Sequence, residues 1–296
     1  MLTSMIPLMK KAREEGYCVP AMSASDETTA RIIIQAAEKK NAPVILICMK
    51  NNARDIVYFG RVVSDLAAHA TVPVALCLDH SSSFEDAIWG IKAGFTDIMV
   101  DRSMLSYEEN VAQVSELVKI AHAVGVGVEA ELGHVGVADN YDVDGNTGLT
   151  DPEEAVRFVK ETNVDALAVA VGTAHGAYKG LPNIRFELLK ELREKVEVPL
   201  VMHGGSGSGD ENLTKSAQLG ICKLNIANDL YRGAIEELEA HDLTGSGAYG
   251  LFKHLYNGYE KVALHYFDVC LATNKNDIVK NVSQREINLN PELKEV

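Results

Sequence analysis

Short apolar segments alternate with longer amphipathic segments along most of the chain. The apolar segments are rich in Val, Ile, Leu and Ala, and most of them do not alternate with polar residues. Such segments are typical of strands buried on both faces, as in a parallel sheet covered by helices. There are eight of them: Val19–Met22, Val44–Cys48, Val74–Leu78, Ile98–Val100, Val126–Glu131, Ala166–Val171, Leu200–Met202 and Cys222–Ile226.

The intervening segments have helical periodicity and recognisable helix starts. Glu27–Lys40 carries apolar residues at helical spacing, and Asp26 is placed to cap this helix. We expect capping boxes at Ser82–Glu85 and at Thr150–Glu153, the second with a proline in the first turn. Further helices are predicted at Tyr107–Val124 and Phe186–Lys195.

Eight strands alternating with helices favour a (β/α)8 TIM barrel, with a doubly wound sheet as the alternative. No composition shift or long linker divides the chain, so we expect one domain, with the barrel at about 17–240. After Asp229 the sequence is helical and aromatic, which predicts a helical C-terminal extension and tail at about 241–296. Gly133–Gly148 is acidic and lacks periodicity, which predicts a mobile loop.

Composition narrows the functional classes. The 296 residues are 47% hydrophobic and 24% charged, enough for a sizeable core. A net charge of −14 argues against nucleic acid as a partner, because phosphate neutralisation requires basic surface. No apolar run approaches the ~18 residues of a membrane span, and Met1–Glu15 lacks the apolar core of a signal peptide. Five cysteines without a CxxC motif indicate a reduced, cytoplasmic protein.

Polar and charged residues cluster where the predicted strands end. In a barrel these ends meet at one face, where active sites form. Packing alone does not account for such residues at six successive strand ends. The clusters are Asp79-His80, Asp101-Arg102-Ser103, Glu129 with Glu131, Gly172–Gly176, His203–Gly207, and Asn225 with Asn228 and Asp229.

Three of the nine histidines differ from the others because each follows a predicted strand. These are His80, His175 and His203. Three imidazoles that converge beside a carboxylate form an open zinc site. No short metal-binding motif applies, since the three are far apart in sequence, so this prediction depends on the barrel. Asp79 is interpreted either as a capping or supporting carboxylate or as an acid/base beside the metal.

The glycine-rich segment His203–Gly209 has two interpretations. It is either a flexible turn or a nest of backbone N–H groups that binds an anion. Glycine allows the backbone to approach a phosphate closely. The segment follows the seventh strand, and Asn225–Asn228 follows the eighth, which is where barrels often bind phosphate. Gly176 and Lys179 lie just before it, so we favour the phosphate site.

Five short motifs occur together in a fixed order. They are Leu78-Asp79-His80, Ser83-Phe84-Glu85, Glu129–Gly133, Gly172–Gly176 with Tyr178-Lys179, and His203–Gly207. In this order they resemble the class II, zinc-dependent ketose-bisphosphate aldolases, the group of the fructose- and tagatose-bisphosphate aldolases. The resemblance extends from Tyr17 to about Asp229.

The resemblance implies a metal-dependent reaction. A phosphorylated ketose, a bisphosphate, would be cleaved reversibly to dihydroxyacetone phosphate and an aldehyde through a zinc-stabilised enediolate. His80, His175 and His203 would hold one catalytic Zn²⁺ per subunit. Glu131 and Asp101 would line an alternative metal position or support the ligands. A monovalent cation such as Na⁺ or K⁺ is a further expected component.

The resemblance also implies roles for the remaining residues. Asp79 would exchange a proton with the hydroxyl or aldehyde oxygen of the cleaved bond. Asp139 takes the place of the loop acid, usually Glu, that moves the α-proton, and Asn225 would contact the enediolate. The family is commonly a homodimer or homotetramer. The expected phosphate contacts are Gly176, Lys179, Gly204, Gly205, Ser206 and Asn228.

Several positions depart from the family pattern. Ser23 stands where the family has a substrate-binding Asn, Met49 replaces a Ser, and Asn228 replaces a Thr. Arg102 replaces a small residue, and Asp139 a Glu. We therefore expect a substrate other than fructose 1,6-bisphosphate. Arg102 is interpreted either as part of a structural ion pair or as a ligand for a carboxylate or second phosphate of that substrate.

Two other functions fit the same barrel. One is a catalytically weak sugar-phosphate-binding protein, and the other is a different metal-dependent barrel enzyme, such as a hydrolase. Retention of Asp79 and the three histidines favours the aldolase, because a binding protein does not need them. A hydrolase would need a metal-bound water but no phosphate nest.

Overall fold

Eight parallel strands close into one barrel, which confirms the predicted TIM barrel and excludes the open sheet. The computed structural model describes residues 1–136, 148–176 and 178–276. The strands are β1 (Val19–Ser23), β2 (Val44–Cys48), β3 (Val74–Ser81), β4 (Asp97–Val100), β5 (Gly127–Leu132), β6 (Ala166–Val169), β7 (Leu200–Met202) and β8 (Ile221–Ile226). Each strand pairs with its sequence neighbour, and β8 pairs with β1.

Helices cover the outside of the barrel. The strands are buried along nearly their whole length, as their unbroken apolar segments predict. None of the helices in the described ranges is long and apolar enough to cross a membrane. The helices are α1 (Met5–Glu15), α2 (Glu27–Lys40), α3 (Ile56–His69), α4 (Phe84–Ala93), α5 (Tyr107–Ala123), α6 (Pro152–Thr162), α7 (Phe186–Lys195), α8 (Asp210–Gln218), α9 (Asn228–Glu239) and α10 (Leu251–Val269), with a short 3-10 helix at Gly245–Gly250.

Local polar contacts fix the helix starts. The Asp26 side chain accepts from Thr29 N and caps α2, as predicted. The two predicted capping boxes are wrong in detail. Ser83 caps α4 through the N–H of Asp86, and Asp151 rather than Thr150 caps α6. The Thr150 hydroxyl instead donates to the carbonyl of Leu132, because it lies beside the end of β5.

Helix α1 closes the amino-terminal end of the barrel. Met5, Leu8 and Met9 are fully buried there, and Leu2 pairs with Val74 at the start of β3. The amino-terminal mouth is therefore plugged, and only the carboxyl ends of the strands are left to form a site.

Helices α9 and α10 form an antiparallel pair. Asp229 near the start of α9 bonds to Tyr266, and Tyr231 contacts Tyr259. The pair packs closely, since a Cβ on Gly258 would lie 2.2 Å from the carbonyl oxygen of Gly233. The predicted C-terminal helical segment is confirmed. The domain boundary proposed near residue 240 falls between these two helices. The predicted loop acid Asp139 and the tail from residue 277 lie outside the described residues.

The buried carboxyl of Asp97 should make the stability of the barrel depend on pH. It accepts hydrogen bonds from Ser4 Oγ at 2.6 Å and Met5 N at 2.8 Å, and burial raises its pKa to about 6. The folded state then holds this proton more tightly than the unfolded chain, so the stability it contributes is lost as the pH rises through 6. Between pH 5 and pH 7 the protein should lose about 1 kcal/mol of unfolding free energy relative to Asp97→Asn. Urea unfolding measures this difference, and an equal difference at both pH values would contradict it.

Candidate metal and active site

Three imidazoles meet at the carboxyl ends of β3, β6 and β7. The ring centroids of His80 lie 4.8 Å from His175 and 4.7 Å from His203, and His175 and His203 are 5.6 Å apart. One ring nitrogen from each lies within 4.8 Å of the others. The barrel thus brings together the three histidines that the sequence singled out.

An irregularity in β3 places two consecutive side chains at this mouth. In a regular strand, successive side chains point to opposite faces. The pairing of β3 with β4 shifts register between Leu78 and Ser81, and His80 has a φ of 45°. Asp79 and His80 therefore both face the group of histidines, which a regular strand would not allow.

Carboxylates hold the outward nitrogens of two rings. Asp101 Oδ2 lies 3.0 Å from His80 Nδ1, and its other oxygen accepts from Ser103. Glu129 Oε1 lies 2.9 Å from His203 Nε2, with both side chains fully buried. These contacts leave His80 Nε2 and His203 Nδ1 facing each other at 3.0 Å. A carboxylate behind each ring is the usual support of a metal-bound histidine.

The donor set fits a zinc ion. Tetrahedral ligands at ~2.0–2.1 Å from zinc stand roughly 3.3 Å apart, close to the spacing between His80 and His203. His175 Nε2 is buried and has no hydrogen-bond partner among the described residues, so a lone pair is available. Burial holds the pKa of His175 and of His203 below the ordinary value, which favours the neutral form that binds metal.

His80 differs from the other two histidines in its charge. Burial alone would lower its pKa, but Asp79 and Asp101 raise it to about 9. Without an ion this ring is therefore a cation, and a metal would replace its proton. The carboxylates of Asp79 and Asp101 supply the negative charge that attracts a divalent cation.

Asp79 and Asn225 lie directly beside the three rings. Asn225 Nδ2 is 3.0 Å from Asp79 Oδ1 and 3.2 Å from His203 Nδ1. Burial opposes ionisation of Asp79, yet the positive charges of His80 and Lys223 hold the pKa of Asp79 below its usual value. Asp79 is thus a carboxylate, able to accept a proton at the mouth of the barrel.

Glu131 forms a second possible ligand group with His80 and Asp101. One ligand atom from each of these three residues lies within 4.8 Å of the others. Burial, with Asp101 nearby, raises the pKa of Glu131 to about 8, and Glu131 Oε1 accepts from Val135 N at 2.9 Å. This geometry supports the predicted alternative metal position.

The loops after β7 and β8 are joined in the region of the predicted phosphate site. Ser206 Oγ accepts from Ala227 N and Asp229 N, each at 3.3 Å. Gly205 N donates to Asn225 O at 3.1 Å, and Gly207 N donates to Asp229. Part of this set of N–H groups is therefore already engaged within the protein.

The loop after β6 reaches the same region. The Tyr178 hydroxyl accepts from Ala174 N at 2.6 Å and lies 3.0 Å from Gly204 O, so it ties this loop to β7. Gly204 has a φ of 70°, and a Cβ there would lie 2.3 Å from Ala174 O. Close packing thus requires glycine here. The remaining predicted phosphate contacts are Gly176 and Lys179, which are exposed, and Asn228 at the start of α9.

The contacts of Arg102 favour its structural interpretation. The side chain is 5% exposed. Its Nη1 donates to the carbonyls of Ser81 and Asp101, and its Nε donates to Gln113, all at 2.7 Å. The guanidinium is thus engaged in fixing the ends of β3 and β4, and the expectation that it binds a substrate anion is not supported.

Two other departures from the family pattern lie near the carboxyl ends of their strands. Ser23 Oγ at the end of β1 is 3.2 Å from the Tyr231 hydroxyl. Met49 directly after β2 is 39% exposed.

Sequence reasoning missed one part of the site, the ion pair beneath His203. Lys223 Nζ lies 2.8 Å from Glu129 Oε2, and both side chains are fully buried. Glu129 holds the pKa of Lys223 above its usual value despite burial. A lysine inside the apolar segment Cys222–Ile226 was the available signal, because a buried lysine requires a partner.

Comparisons with known proteins agree with this geometry. The family model described as fructose-bisphosphate aldolase class-II matches residues 3–275. The chain belongs to this family. A relative from Bacillus subtilis (strain 168), named "Probable fructose-bisphosphate aldolase", is 40% identical over 230 residues, which are 76% of this chain and 81% of the relative.

Solved structures of aldolases share the fold. The YdjI aldolase from Escherichia coli K12 has a TM-score of 0.84 and 30% identity, covering 94% of this chain and 100% of its own. Fructose-bisphosphate aldolase from Campylobacter jejuni has a TM-score of 0.77 at 22% identity, and the match covers 93% of this chain and 97% of the Campylobacter protein. At this identity the likeness shows the fold alone. Family membership and the curated relative show that this chain is an aldolase, which confirms the predicted enzyme class.

Breaking the buried ion pair should destabilise this aldolase strongly. Lys223→Met leaves the Glu129 carboxylate buried without its cation and should lower the free energy of unfolding by about 3–5 kcal/mol. The double variant Lys223→Met/Glu129→Gln removes both charges and should recover more than half of that loss. Urea unfolding of metal-free protein tests this, with Lys190→Met as the control for an exposed pair. A double variant no more stable than the single one would contradict the pairing argument.

Proposed function

We propose that this aldolase cleaves a phosphorylated ketose to dihydroxyacetone phosphate and an aldehyde, with Zn²⁺ held by His80, His175 and His203. The observation that carries the proposal is the convergence of three imidazoles beside an ionised Asp79 at the barrel mouth. A sugar phosphate is the substrate class that family membership implies.

Asp79 and Asn225 have separate roles in breaking the carbon–carbon bond. Asp79 accepts the proton of the hydroxyl group beside that bond, and the bonding electron pair moves toward the ketose carbonyl. Zn²⁺, when bound, supplies a Lewis acid for the oxygen on which negative charge develops. Asn225 donates toward the same oxygen, since its Nδ2 already lies between Asp79 and His203.

The phosphate group fixes the substrate relative to Asp79. Its proposed binders are backbone and side-chain groups in the loops after β6, β7 and β8, which Tyr178 and Ser206 connect. A rigid phosphate anchor lowers the entropic cost of placing the reacting carbons. The proposed contacts are Gly176, Lys179, Gly204, Gly205, Ser206 and Asn228, with a monovalent cation beside them.

Asp139 is proposed to return a proton to the carbon of the dihydroxyacetone phosphate half. Gly133 and Gly148 bring the two ends of its loop together, because His134 N donates to Gly148 O at 2.8 Å. Glu131, with its raised pKa, and Asp101 are proposed to support His80 or a second ion position. The enzyme is proposed to act as a homodimer or homotetramer, and its buried, unpaired cysteines support a reducing compartment such as the cytoplasm.

The substrate is proposed to differ from fructose 1,6-bisphosphate. Ser23 has a shorter side chain than the Asn of the family pattern, and its hydroxyl is already bonded to Tyr231. Met49 presents an apolar side chain where the family has Ser. A panel of phosphorylated ketoses and keto-acids, assayed for released dihydroxyacetone phosphate with and without a strong chelator, tests both parts. We expect chelator-sensitive release, fastest from a compound other than fructose 1,6-bisphosphate.

Two results of the panel would contradict the proposal. If the chelator does not affect the release of dihydroxyacetone phosphate, the reaction does not need the proposed metal ion. If fructose 1,6-bisphosphate is turned over fastest, the proposal of a different substrate is wrong, while the proposed aldol cleavage still holds.

Asp79→Asn should separate chemistry from binding. It keeps the size of the side chain and its hydrogen bond to Asn225 but cannot accept the hydroxyl proton, so turnover should fall about 10²–10⁴-fold. Bound zinc and the affinity for dihydroxyacetone phosphate should stay within a few-fold of the native enzyme. Asp65→Asn, an exposed carboxylate on α3, is the matched control. Unchanged turnover in Asp79→Asn would exclude Asp79 as the proton acceptor.

A further inference from the structure

A second group of metal-ligating side chains lies on the helical pair α9 and α10. Glu237 is near the end of α9, His241 follows that helix, and His254 is in the first turn of α10. Glu237 is eight residues beyond Asp229, about 12 Å along the helix. The group therefore shares no residue with the barrel mouth.

The three side chains are within reach of one ion. One ligand atom from each lies within 4.8 Å of the others. Glu237 Oε1 is 3.7 Å from His254 Nδ1 and 4.0 Å from His241 Nδ1. Zinc ligands stand roughly 3.3 Å apart, so shifts of up to about 1.5 Å would close the site. His241 is the most exposed of the three. Its Nδ1 lies 2.8 Å from the backbone carbonyl oxygen of Glu237, so the ring binds the ion either through Nε2 or after giving up that contact.

Two further observations indicate a ligand at this position. His254 Nδ1 is buried and has no hydrogen-bond partner in the described part of the chain, and buried polar atoms are normally satisfied. The His241 and His254 rings stack with centroids 3.6 Å apart and planes at 27°. The stack holds both imidazoles at the junction of α9 and α10, where one ion can reach them.

We propose that Glu237, His241 and His254 bind a divalent transition-metal ion of the zinc, copper or nickel class. Two imidazoles and one carboxylate suit these ions and not Mg²⁺ or Ca²⁺, which prefer oxygen ligands. Water completes the coordination, since the site is partly exposed. The ion links the end of α9 to the start of α10, and so closes the intervening segment that contains Gly245–Gly250.

Metal stoichiometry tests the proposal. Native protein and His254→Gln are dialysed against excess Zn²⁺, and bound zinc per chain is measured by mass spectrometry. We expect about two ions in the native protein and about one in His254→Gln, with aldolase activity unchanged in the variant. His265→Gln is the matched control, because His265 lies on the same helix outside the group. It should retain about two ions.

The outcomes separate this site from the catalytic one. One zinc ion in both native protein and His254→Gln would overturn the second site, and so would equal loss from His254→Gln and His265→Gln. A single native ion that His254→Gln removes would support the second site and count against the catalytic one. If His254→Gln does not fold, Glu237→Gln serves instead, as its side chain is partly exposed. Added Zn²⁺ should raise the Tm of native protein more than that of either variant.

Discussion

The irregular end of β3 is the constraint on which the rest of the active site depends. A regular strand would point Asp79 and His80 to opposite faces, and only one could reach the mouth. The register shift and the positive φ of His80 bring both there. A non-glycine residue in this conformation costs on the order of 1 kcal/mol. Nearby contacts offset it, since Arg102 donates to the carbonyl of Ser81 and Asp101 holds the ring of His80.

Beneath the mouth, paired charges make a polar site compatible with a dry barrel interior. Glu129 is hydrogen-bonded to His203 through one oxygen and ion-paired with Lys223 through the other, so none of the three charges or rings is buried alone. The hydrogen bond between His203 Nε2 and Glu129 leaves the other ring nitrogen, Nδ1, facing His80. The positive charges of His80 and Lys223 keep Asp79 ionised despite its burial. One buried network therefore stabilises the barrel, orients the proposed metal ligand His203 and lies beside the proposed base Asp79.

Much of the fold and site could be predicted because carboxyl ends of parallel strands share one face. Apolar segments located the eight strands, and residues after them located His80, His175 and His203. The bulge and the partners of Arg102 could not be predicted, because they depend on register between strands. The pairing of Lys223 depends in the same way on which side chains face the interior. The group on α9 and α10 carries no motif, since its ligands meet only when the helices pack.

Three histidines at the strand ends are proposed to hold a zinc ion beside Asp79. Anomalous diffraction at the zinc edge, from crystals of protein loaded with one equivalent of Zn²⁺, tests it most directly. We expect a strong peak at the barrel mouth, about 2.0–2.1 Å from one nitrogen of each of His80, His175 and His203. A structure with zinc elsewhere and no peak among these rings would contradict it.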